Sequence, residues 1–196
     1  MHDEMMVKLA SIIKERIIDI EKTTHFFDHL ERVHKTAIIL SEKEGADLEL
    51  VQLGALLHDV GHAIGEPHNE TGARLAREIL REVGYPEETI EKVARIVFRH
   101  RQSLDHELET LEEKIVWDAD KIDLIGVTGV LRAFHWAGSI GISFEDEVKW
   151  CQERQTKLYD LLKTESAKKI AKKRHVRMMC LLGVLEKELT LADLES

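Results

Sequence analysis

Two prolines and eleven glycines punctuate a chain of 196 residues. Between them apolar side chains recur every three or four positions, as on one face of an α-helix. Met5, Leu9, Ile12, Ile13, Ile17 and Ile20 make the first such face, which Thr23-Thr24 interrupts. The spacing predicts a second helix from about Asp28 to Gly45, and a third from an Asp47 N-cap to His58. A loop at Gly61, Gly65 and Pro67 leads to a fourth ending at Gly84, with Pro86 in the first turn of a fifth. Thr110-x-x-Glu113 reads as a capping box for a sixth, through Ile115, Ile122 and Ile125. Gly138, Ser139 and Gly141 end that stretch, and Ser143-x-x-Asp146 caps a seventh helix. Leu158 to Leu185 continues as amphipathic helix with one turn near Ser166. Strand-like alternation appears over no useful length. The expected fold is therefore all-α, a single-domain bundle of about seven to eight helices over residues 1–196.

Charge narrows the function. The 28 basic and 37 acidic side chains leave a net charge of −9, which disfavours nucleic acid or an anionic membrane as the main partner. No apolar run is long enough for a membrane span, and Met1 to Ile20 is too charged for a signal peptide. Cys151 and Cys180 form neither a CxxC motif nor a disulfide ladder, so a reducing cytoplasm is the expected compartment. The basic cluster Lys168, Lys169, Lys172, Lys173, Arg174 and Arg177 reads as a solvated face balancing the acidic remainder.

Two polar groups break the bland pattern. His58-Asp59 follows the apolar stretch Leu53 to Leu57 at a helix end, where a carboxylate is costly to bury without a cation or hydrogen bonds. Asp118, Asp120 and Asp123 interrupt an otherwise apolar helix, and the last two share a face at i, i+3. Acids so clustered repel unless a cation lies nearby. With another imidazole, His58, Asp59 and Asp120 would make a nitrogen and oxygen site without thiolate, suited to Mn, Fe, Co, Ni, Zn or Mg.

His29-x-x-Arg32-Val33, Leu56-Leu57-His58-Asp59-Val60-Gly61 and Asp118-Ala119-Asp120-Lys121-Ile122-Asp123 resemble the ordered motifs of the HD-domain metal-dependent phosphohydrolases. The resemblance spans roughly residues 25–134, with the helices of 143–190 expected to pack on that core. It implies His29, His58, Asp59 and Asp120 as ligands of a divalent metal. His34 is a rival for the first ligand, and His25 a weaker one. Asp123 matches a position that orients water or substrate, and Asp118 one that caps or supports, although the two roles could be exchanged. Some relatives hold a second metal through two further histidines, for which His68 and His100 are candidates. His62 lies one turn beyond His58 as a supporting group or proton donor.

The chain departs from two subfamilies. Relatives that hydrolyse the alarmone ppGpp carry a Glu-Asp pair where this chain has His62-Ala63. Gly84-Tyr85-Pro86 superficially matches the triplet of cyclic-di-GMP phosphodiesterases, but it precedes His100 and is explained by helix punctuation. What the resemblance implies is hydrolysis of a nucleotide or other small phosphoester by metal-activated water. Asp59, Asp123, His62 and Lys121 would serve the chemistry, and Arg32, Lys121 and Arg99 would meet the phosphate. The alternatives are a two-iron oxygenase of the same superfamily and a non-catalytic nucleotide- or metal-binding module. The amphipathic helices after Ser143 could also cover a homodimer interface.

Overall fold

The computed structural model of the chain describes residues 2–17, 26–63, 65, 67–101, 104 and 107–194. Helices α1 (His2–Ile17), α2 (Phe26–Glu44) and α3 (Leu48–Leu57) come first. A 3-10 turn, Val60–Ala63, then leads to α4 (His68–Val83), α5 (Glu87–Arg99) and α6 (Leu111–Leu124). Next come α7 (Val127–Ser139), α8 (Phe144–Glu153), the single turn Leu158–Leu161 and α9 (Glu165–Thr190). No strand occurs among the described residues, as the periodicity requires. No helix among them is long and apolar enough to cross a membrane. Ile20, the Thr23-Thr24 break and His25 lie outside the described residues.

Local chemistry sets most of the helix ends. Asp47 accepts hydrogen bonds from the backbone N–H groups of Glu49 and Leu50 at 3.0 and 3.2 Å, opening α3. The capping box closes in both directions: Thr110 Oγ1 accepts from Glu113 N at 3.3 Å, and the Glu113 carboxylate accepts from Thr110 N at 3.2 Å. Ser143 accepts from Asp146 N at 3.1 Å to start α8. Such caps contribute about 1 kcal/mol each. Gly84 ends α4 in the left-handed conformation, φ 103°, its N–H donating to Leu80 O.

Two breaks fall elsewhere than the periodicity predicts. The sixth helix stops at Leu124 instead of running through Ile125, because Gly126 takes φ 110° and ψ −177°, backbone that only glycine adopts readily. A Cβ there would also lie 3.1 Å from Arg174 Cβ. The turn expected near Ser166 lies at residues 162–164, where Thr164 takes extended backbone and caps α9 by accepting from Ala167 N at 3.3 Å.

The chain divides into two compact units, residues 1–120 and 121–196. In the first, α4 packs on α5 and α1, α3 packs on α2 and α5, and the 3-10 turn packs on α4. Leu53, Leu57, Ile79, Leu80 and Ile90 are almost completely buried in its core, each stabilising by about 2 kcal/mol relative to exposure. In the second unit α7 packs on α8 and α9. Its buried side chains include Val130, Ala133, Val148, Ala167, Ala171 and Met178.

Candidate metal centre

Five segments of the first unit converge on one polar cluster inside this apolar frame. Helix α2 supplies His29, and His58 caps the C-terminus of α3, with Asp59 next in the turn. His68 opens α4, His100 caps α5, and Asp120 comes from α6. His29, His58, His100 and Asp120 are buried; Asp59 and His68 are half-buried.

Gly61 explains how the turn after Asp59 can lie so close to α4. A Cβ on it would sit 1.8 Å from His68 O and 2.7 Å from Gly72 N, both backbone atoms. Only glycine allows that approach. Thr71 ties the same junction together, its hydroxyl 3.4 Å from Gly61 O and 3.2 Å from Pro67 O.

The donor atoms form two groups that share Asp59. His29 Nε2 lies 3.3 Å from His58 Nε2, 3.5 Å from Asp59 Oδ2 and 3.5 Å from Asp120 Oδ1. His58 Nε2 is 3.3 Å from Asp59 Oδ2 and 4.0 Å from Asp120 Oδ1. The other carboxylate oxygen turns away: Asp59 Oδ1 is 3.3 Å from His100 Nε2 and 3.6 Å from His62 Nε2. One ligand atom each from Asp59, His68 and His100 fall within 4.8 Å of one another, as do those of His29, His58 and Asp120. Nitrogen and oxygen ligands bonded to one ion at about 2.1 Å sit roughly 3.0–3.4 Å apart, so the observed spacings suit an ion. Both clusters can hold a divalent metal, and their oxygens and imidazoles match the borderline and hard ions expected from the sequence.

Hydrogen bonds set the imidazoles in the form a metal needs. His58 Nδ1 is 2.8 Å from Ala55 O, and His100 Nδ1 bonds Val97 O. A carbonyl only accepts, so Nδ1 carries the hydrogen in both rings and Nε2 faces the cluster. Burial alone would raise the Asp59 carboxyl. The charge of His58 and hydrogen bonds from His100, His29 and His58 outweigh it and hold Asp59 well below the usual carboxylate range. Burial likewise disfavours a charge on His58, but the Asp59 and Asp120 carboxylates raise its proton affinity.

The remaining expected residues fare differently. His34 stands five residues beyond His29, about 140° around α2, and cannot share its face. Its Nε2 is buried without a hydrogen-bond partner among the described residues, and burial followed by Lys35 lowers its proton affinity. Arg32, one turn after His29, is half-buried; Lys121, beside Asp120, is buried. Arg99 lies 3.2 Å from the buried Glu113 and 3.0 Å from Glu109, while Arg95 holds Glu113 at 2.7 Å. Asp118 is buried, and Asp123 forms an ion pair with Arg132, a partner that sequence reasoning missed. His62 is exposed and stacks on His68, ring centroids 4.1 Å apart.

The HD domain family model matches residues 26–125, which contain every member of this cluster. The chain belongs to the HD-domain family. It is 31% identical over 193 residues to the uncharacterized protein YpgQ of Bacillus subtilis, covering 93% of each chain. The crystal structure of YpgQ in complex with ADP superposes with a TM-score of 0.76 at 26% identity, covering 92% of this chain and 95% of that one. An HD-superfamily hydrolase from Bacillus thuringiensis superposes with a TM-score of 0.75 at 30% identity, covering 96% and 98%. The HD-domain helical fold expected from the motifs is thus the fold observed.

Proposed function

We propose that this HD-domain protein is a metal-dependent phosphohydrolase acting on a nucleotide or another small phosphoester. The observation that carries the reading is the divided Asp59 carboxylate, with one oxygen toward His29 and His58 and the other toward His100 and His62. In this reading His29, His58, Asp59 and Asp120 hold one divalent ion, and Asp59, His68 and His100 a second. Bound there, Mn, Ni, Co, Fe, Zn or Mg would supply Lewis acidity toward a phosphoryl oxygen and acidify water toward neutral pH. His62, exposed at the edge of the cluster, is the group we assign to hand a proton to the leaving oxygen. Arg32 and Lys121 are assigned to the phosphate, and Asp123, held by Arg132, to orienting water or substrate. The ADP complex of YpgQ supports a nucleotide as the substrate class.

The test is metal analysis of the full chain and of Asp59→Ala, followed by 31P NMR of nucleoside phosphates incubated with each protein and Mn²⁺ under anaerobic conditions. Metal-dependent release of phosphate or pyrophosphate, absent from the variant, supports the proposal. Turnover retained by metal-free Asp59→Ala refutes it. The four-histidine, two-aspartate donor set of the two clusters also accommodates a two-iron oxygenase. Two irons per chain with oxygen uptake would favour that reading, whereas anaerobic turnover with Mn²⁺ excludes it. Nucleotide binding without chemical change would leave a non-catalytic module.

A further inference from the structure

The cluster His58, Asp59 and Asp120 is built from residues that the HD motifs mark, but the outer pair His68 and His100 is joined by a residue that no metal motif marks. Asn69 follows His68 in the first turn of α4 and is buried. Its amide nitrogen donates to Phe98 O at 3.3 Å, and its amide oxygen accepts from Arg101 Nη1 at 3.4 Å. Phe98 and Arg101 flank His100 at the end of α5. One side chain therefore ties the backbone beside His68 to the segment that carries His100.

We infer that Asn69 is a positioning residue that sets the His68–His100 separation and thereby the affinity of the outer metal, leaving the inner one untouched. This rests on the two-ion reading above. The first turn of α4 is already pinned toward the Asp59 turn by Gly61 and Thr71. Asn69 adds the link toward α5, where Val97 O separately orients the His100 ring. With Asn69 shortened, the bonds to Phe98 O and from Arg101 are both lost, so α4 and α5 can part at their facing ends. His29, His58 and Asp120 come from α2, α3 and α6 and make no use of that link.

The experiment is titration of the metal-free full chain with Mn²⁺, following heat and the EPR signal, since two manganese ions bridged by a carboxylate couple and a single one does not. Wild type should take two ions. Asn69→Ala should bind the first with unchanged affinity and the second about 10- to 100-fold more weakly, losing the coupled signal. Arg101→Ala, which removes the donor to the amide oxygen and leaves the bond to Phe98 O, should shift the second affinity less and in the same direction. It decides the matter if Asn69→Ala does not fold. A purely structural role would lower the melting temperature without separating the two affinities. Equal weakening of both ions, or none of either, overturns the inference while leaving the two-ion site standing. A wild-type protein that takes only one ion overturns the two-ion reading, and this inference with it.

Discussion

The two halves of the metal centre contrast in burial. On the inner side His29, His58 and Asp120 are respectively 5%, 0% and 8% exposed. On the outer side His100 is buried, but His68 is half-buried and the adjoining His62 exposed. Both halves use one oxygen of the same carboxylate. Buried donors have few alternative positions, so they present a ready-made cage with little ordering left to do. Of the outer donors only His68 and Asp59 are partly open to solvent, the side from which, on the two-ion reading, a phosphate would arrive. On that reading, the inner half would hold its ion and the outer half would admit substrate.

Asp59 is where the comparison can be broken most severely. Asp59→Ala should empty both halves and lower turnover at least about 100-fold, with helicity by circular dichroism nearly unchanged. Metal analysis reads the first effect directly. Gly61→Ala forces a methyl group into His68 O and should cost about 3 kcal/mol, a fall of about 10 °C in melting temperature. It should weaken the outer ion more than the inner, which competition with a chelator would resolve. His68→Ala should release the outer ion alone, giving one ion per chain by mass spectrometry of the native protein. If both ions leave together, the halves are not separable. Arg99→Gln should cost about 1–2 kcal/mol in chemical denaturation by loosening the Glu113 network, with metal content unchanged. The smallest effect belongs to His34→Gln, which should leave both ions in place; loss of metal there would reinstate His34 as a ligand.

Much of this was legible in the residues. Capping chemistry is local, so Asp47, Thr110 with Glu113, and Ser143 announced their helices correctly. The breaks at Gly126 and Thr164 were harder to read. A glycine within an apolar helical pattern is locally tolerable, and the positive φ of Gly126 and its approach to Arg174, 48 residues away, emerge only in the folded chain. Arg99 shows the same limit in the site. Its ion pairs with Glu113 and Glu109 could not be read locally, because charge says nothing about which carboxylate the fold brings near. Arg132 and Asn69 escaped notice because their partners, Asp123 and the end of α5, become neighbours through packing.

The sequence by itself determined the all-α class, most of the helix boundaries and the family, because periodicity, caps and ordered motifs are short-range properties. Tertiary structure alone decided that His29 and not His34 joins His58, since that depends on which side of α2 faces α3. It also decided that the oxygens of Asp59 point toward different histidines. Both outcomes depend on the approach of helices distant in sequence, which core packing sets and no local pattern encodes.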